Sequence, residues 1–138
     1  MAVGFVVKYY WYQVGNDDFL YAFFSTIAHC LEGDNWGSRY PVIMNELYAG
    51  QIMRDHLVDA IQELDGIEAH LSDISPDQII WDYYDLSKRP PWDKNISPEI
   101  NNLANYFVTS EGENLLDVLK GAIKKGIELG VDLSVENV

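Results

Sequence analysis

Apolar side chains occupy both faces of the first extended run of the chain. Val3, Phe5, Val7, Tyr9 and Trp11 fall on one side of a period-2 pattern and Val6, Tyr10 and Tyr12 on the other. A strand that is greasy on both faces must lie inside a sheet, with cover above and below, so the run from Val3 to Gln13 predicts an interior strand around which the rest must fold. The residues ahead of it carry no basic region, and the run leads into aromatics rather than a small-residue cleavage site, so a strand is expected here and not a signal peptide. With 138 residues, 48% of them hydrophobic, one core is affordable and two are not.

The pattern then changes to helical spacing. Gly15-Asn16-Asp17 breaks the strand, Asn16 or Asp17 can cap a helix, and Leu20, Phe23, Phe24, Ile27, Ala28 and Leu31 recur on one stripe until Gly33. Trp36 to Pro41 reads as a loop, and Pro41 opens a short helix through Met44, Glu46 and Tyr48 that stops at Gly50. From about Met53 to Ser72, Leu57, Ala60, Ile61, Leu64, Ile67 and Leu71 form an amphipathic stripe. Ser75-Pro76-Asp77 is a turn, Gln78 to Asp82 reads as a short strand, and Pro90-Pro91 forbids regular structure between Asp85 and Lys94. Ser97-Pro98-Glu99 starts a further predicted helix carrying Ile100, Leu103 and Ala104. The segment from Tyr106 to Thr109 fits either a strand or an extended lead-in. Leu115, Leu116, Leu119, Ala122, Ile123 and Ile127 mark a last helix ended by Gly130, with Gly121 and Gly126 weakening it, and Val131 to Glu136 alternates as a closing strand with one wet face. The expectation is a single α+β domain over residues 1–138, with a sheet of about three to four strands and about five helices.

Charge and cysteine usage narrow the function classes. Nine Lys and Arg stand against 22 Asp and Glu, a net charge of −13, which is the wrong sign for neutralising nucleic-acid phosphates or anionic lipid head groups. No stretch is long and apolar enough to span a membrane, and the single cysteine, Cys30, makes no disulfide within the chain, so a reducing, cytoplasmic setting is expected. An excess of carboxylates favours encounter with a basic partner.

No catalytic or cofactor motif stands out. His29, His56 and His70 are not spaced for a shared metal, since the latter two lie about 21 Å apart along one predicted helix, so neither a metal nor another cofactor is expected. Cys30 beside His29 reads as a small buried hydrophobe rather than a nucleophile. Nucleophile elbow, phosphate loop and dinucleotide fingerprint are absent from the sequence. Asp82 and Asp85, close to Trp81, Tyr83 and Tyr84, suggest a carbohydrate cleft with paired carboxylates and aromatic platforms, the alternative reading. The stretch from Trp81 to Asp93 mixes aromatics, both charge signs and a rigid Pro-Pro, which suits an ordered loop that presents anchors to a partner.

Several strings, in order, resemble the bacterial immunity protein 70 family of polymorphic toxin systems. They are Tyr9-Tyr10-Trp11-Tyr12 with Gly15, Trp36-Gly37-Ser38 with Tyr40-Pro41, Met44-Asn45-Glu46-Leu47-Tyr48 with Gly50, Ile80-Trp81-Asp82, Pro90-Pro91-Trp92, and Tyr106-Phe107-Val108-Thr109-Ser110 with Gly112. The resemblance implies a small cytoplasmic protein that binds and neutralises a cognate toxin domain, a stoichiometric inhibitor rather than an enzyme, and it carries over no assigned contact residues. Combined with the charge, it leads to a candidate toxin-binding surface made of Asp82, Tyr84, Asp85, Trp92 and Asp93 with the acidic turns at Asp17, Asp18 and Asp34, facing a basic patch of the toxin.

Overall fold

The computed structural model describes residues 3–92 and 95–137, which build a four-stranded antiparallel sheet with helices on one face. The first apolar run is not one strand but two. Strand β1 (Val3–Val7) turns through Lys8 and Tyr9 into β2 (Tyr10–Gly15), with Val7 opposite Tyr10 and Phe5 opposite Tyr12. Lys8 takes a positive φ of 56°, which a two-residue hairpin loop demands and which no periodicity argument registers. The hairpin explains the two-sided apolarity. Val3, Phe5 and Val7 are buried in the core, whereas Trp11 on the opposite face lies across Gly4, where a Cβ would come within 2.6 Å of the indole. Apolar residues are needed on both faces because the strand's own neighbour covers the second one.

Strand β4 (Leu133–Asn137) pairs with the other edge of β1, and a two-residue strand, β3 (Gln51–Ile52), pairs with β4, giving the order β2-β1-β4-β3. β3 is too short to leave a periodic signature and was not expected. Helix α1 (Asp17–Thr26) is capped by Asn16, whose side chain accepts the Phe19 N–H, and it runs on as a π-helical turn, Ile27–Leu31, with Glu32 N–H bonded five residues back to the Ile27 carbonyl. The helix opened by Pro41 is likewise π-helical over Val42–Leu47. Helix α2 (Leu57–Leu71) follows a 3₁₀ turn at Arg54–His56, and α3 (Leu115–Leu129) ends at Gly130 in the left-handed region, as its composition predicts. Phe23 and Phe107 meet edge to face at 5.4 Å at the centre of the core.

Two expected elements are absent among the described residues. The predicted strand Gln78–Asp82 is irregular after a 3₁₀ turn at Pro76–Gln78, because its backbone groups are claimed by helix side chains: the Ile80 N–H donates to Thr26 Oγ1 and the Thr26 hydroxyl lies 3.2 Å from the Ile80 carbonyl. The predicted helix after Ser97 is a series of turns. Asn102 Oδ1 accepts from the N–H groups of Ala104 and Asn105, and Asn105 Oδ1 from those of Asn101 and Asn102, so asparagine side chains replace the helical ladder. Leu103 and Ala104 are buried all the same. The 106–109 segment is the extended lead-in, with one bridge from Val108 to Asn114.

The two glycines of α3 differ in a way that the sequence does not display. Nothing lies within 4 Å of a Cβ added at Gly121, whereas one at Gly126 meets the buried Leu57 side chain at 2.8 Å and the Val131 carbonyl at 3.2 Å. Gly121→Ala should therefore raise stability by about 0.5–1 kcal/mol through helix propensity. Gly126→Ala should lower it by about 1–2 kcal/mol, because close packing outweighs the same propensity gain. The midpoints of urea unfolding measure both.

An acidic, aromatic candidate interface

The candidate site begins on one face of α1, where Asp17, Tyr21 and Phe24 follow one another at helical spacing. Beside them stands Tyr48, delivered by the π-helix 42–47, with ring centroids 5.3 Å from Phe24 and 6.4 Å from Tyr21. Trp36 stacks edge-on against Tyr48 at 4.8 Å and against Tyr83 at 5.3 Å, and Tyr83 against Tyr84 at 5.2 Å. The result is a continuous row of rings along the surface, Tyr21, Tyr48, Trp36, Tyr83 and Tyr84. Tyr84, at one end, is 81% exposed and Tyr48, within the row, 48%, so the row opens to water.

Carboxylates border it. Asp34 holds a positive φ of 65°, its carbonyl accepts the Tyr83 hydroxyl at 2.9 Å, and its carboxylate lies 2.8 Å from His29 Nδ1. Asp82 accepts the Tyr84 N–H at 2.9 Å, an Asx turn that aims Tyr84 outward, and its other oxygen lies 3.3 Å from Lys88. Burial, followed by the nearby Asp82 carboxylate, pushes the Tyr21 phenol up to about 12, so it stays a neutral donor at any physiological pH.

A buried carboxylate holds the loop that carries Trp36. Glu32, 7% exposed, accepts the backbone N–H groups of Gly37, Arg39 and Tyr40, each at 2.9 Å. Gly37 sits at φ +79°, a backbone conformation that favours glycine whatever the space around it. The Trp36 indole N–H is tied to the Met44 carbonyl at 2.8 Å. Glu63 accepts the Val42 and Ile43 N–H groups at the start of the following helix, and burial pushes its carboxyl above the usual range.

Of the residues expected from sequence, Asp17, Asp34, Asp82 and Tyr84 meet in this row. Asp18 and Asp85 are exposed next to members of it in sequence. Trp92 lies elsewhere. It is half-buried, packed edge-on against Trp81 at 5.4 Å, and its indole N–H donates to the Tyr106 hydroxyl at 2.8 Å. Asp93 lies outside the described residues. Sequence reasoning missed Tyr21, Trp36, Tyr48 and Tyr83. One signal was available for Tyr21, an aromatic that falls off the apolar stripe of its own helix.

Paired-carboxylate chemistry finds no support in this geometry. Asp85 accepts both the N–H and the hydroxyl of Ser87, the latter at 2.5 Å, and these bonds hold its carboxyl below the usual range, whereas a glycosidic general acid needs a raised one. Trp81 and Trp92 meet edge to face and offer no flat pair of platforms. Among the described residues no group of three His, Cys, Asp or Glu is arranged to hold a metal ion, and no helix is long and apolar enough to cross a membrane.

Comparison with known proteins bears on the whole chain. No curated protein and no solved structure matches it significantly. A family model described as Immunity protein 70 matches residues 5–135, which takes in part of each strand pairing, all three α-helices and the whole aromatic row. The chain belongs to the immunity protein 70 family.

Proposed function

We propose that this protein neutralises a cognate toxin domain in the cytoplasm of the cell that makes both, by binding it stoichiometrically through the row from Tyr21 to Tyr84, with residues 1–138 acting as one immunity domain. Family membership supports the inhibitory role, and the observation that carries the surface is the row itself. Tyrosine and tryptophan are the side chains most often found as binding anchors, and here five of them run together, bordered by Asp17, Asp34 and Asp82. The stacked rings have little rotamer freedom left to lose on binding. The protein's charge of −13 suits a toxin with a basic face, and complementary fields of this kind speed encounter and reject wrong partners. The inhibitor performs no chemistry in this reading; it covers a surface.

The test is capture of the tagged protein from its native lysate at low and high salt, with bound chains identified by mass. A single toxin-bearing polypeptide retained near one-to-one, and released as salt rises, is the expected result. Recovery of housekeeping proteins alone would overturn the proposal.

A further inference from the structure

At one end of the aromatic row the surface dips into a cleft of about 140 Å³. Tyr21, Phe24 and Tyr48 form its walls with Leu20, Val3 and Val135, and Asp17 and Asn137 add polar side chains at its rim. That volume is below the range of small-molecule sites and suits one side chain of a partner. Among the described residues the exposed Asp17 carboxylate, in the first turn of α1, has no side-chain hydrogen bond or ion pair, unlike Asp34 and Asp82, so it can accept a cation. Apolar lining, aromatic rings and a single unpaired carboxylate together match the chemistry of a long cationic side chain, whose methylene stem lies against apolar atoms while its head meets ring faces and an anion.

We infer that this cleft receives one arginine or lysine side chain of the toxin, with Asp17 as the counter-ion and the Tyr48 ring as the cation's aromatic partner. The inference rests on the row being the toxin-binding surface and names the group that enters it. The protein's charge argues for a cation as occupant, and the exposed Asp17 carboxylate at the edge of the cleft gives a cation a partner that a bare apolar side chain would not use.

The probe is Nα-acetyl-arginine methylamide, titrated against the whole protein and followed by NMR, with the citrulline analogue as its uncharged counterpart. The arginine compound should produce saturable shifts confined to the amides and rings around Asp17, Tyr21 and Tyr48, with half-saturation on the order of 10 mM. The citrulline compound should produce none of comparable size. Asp17→Asn, which leaves the Asn16 cap in place, should weaken the arginine response by roughly fivefold. Tyr48→Leu keeps apolar bulk beside Trp36 and should also weaken it, by loss of the ring face. Equal responses to arginine and citrulline, or shifts spread evenly over the surface carboxylates, would overturn the inference. Failure here is separable from failure of the docking surface. If the toxin is captured and binds Asp17→Asn as tightly as the unaltered protein, the cleft is not the cation site while the immunity role stands.

Discussion

Glu32→Ala should destabilise the protein by about 3 kcal/mol, a large effect for a residue that touches no other charged group at short range. Its carboxylate gathers three backbone N–H groups, from Gly37, Arg39 and Tyr40, that have no other acceptor in the loop. Hydrogen bonds to a charged acceptor contribute about 1.5–3 kcal/mol each, and part of that returns when water reaches the half-exposed N–H groups of the variant. The remainder is the cost of leaving the buried Tyr40 N–H without an acceptor. Glu32→Gln retains one carbonyl oxygen and should lose about half as much. Urea unfolding measures both variants. Near-ultraviolet circular dichroism adds a local reading: in Glu32→Ala the signal of the stacked rings should fall while the far-ultraviolet spectrum persists, because Trp36 depends on this loop and the helices do not. An unfolding midpoint equal to that of the unaltered protein would show that water satisfies the loop unaided.

The second large effect concerns association. Replacing Asp17, Asp34 and Asp82 together by asparagine should slow binding to the captured toxin by roughly tenfold at low ionic strength and flatten its dependence on salt, with a smaller change in the dissociation rate. Asparagine suits this test on structural grounds. It tolerates the positive φ at position 34, and its side-chain oxygen can still accept the Tyr84 N–H at position 82, so charge is removed and shape is kept. The matched control removes the charges of Glu99, Asp117 and Glu128, none of which touches the row. Both variants lose three charges, so a difference between their association rates reports position and not net charge. Equal slowing would place the acidic contribution in the field of the whole protein, and no slowing in either would remove electrostatics from the encounter.

Much of the fold was legible because it follows from periodicity. The stripe of α1, the amphipathic α2, and α3 with its Gly130 stop all stand where their spacing puts them. The failures share a cause. At Lys8 a turn is set by a single backbone angle, at Ile80 a would-be strand is disarmed by the Thr26 hydroxyl, and at Asn101 to Asn105 side-chain amides outcompete the helix. In each case a local hydrogen bond or dihedral overrides a pattern that hydrophobicity alone supports. The candidate site divides in the same way. Acidic residues can be picked out one by one, and four of the expected eight residues do converge. That Trp36 and Tyr48 stand between Tyr21 and Tyr83 is a fact of tertiary packing, and Trp92, the most conspicuous aromatic of the 81–93 stretch, is instead hydrogen-bonded to Tyr106 beneath its own loop.

The row of rings is assembled from separate elements of the chain: Tyr21 comes from α1, Trp36 and Tyr48 from the loop and π-helix that follow it, and Tyr83 and Tyr84 from the distant stretch beyond α2. No linear fragment carries it. A peptide copied from any one of these parts would present one or two rings without their neighbours and would make a poor competitor for a partner that reads the whole. The surface exists only while the core beneath it is folded, and even then only while the Glu32-bound loop keeps Trp36 in place.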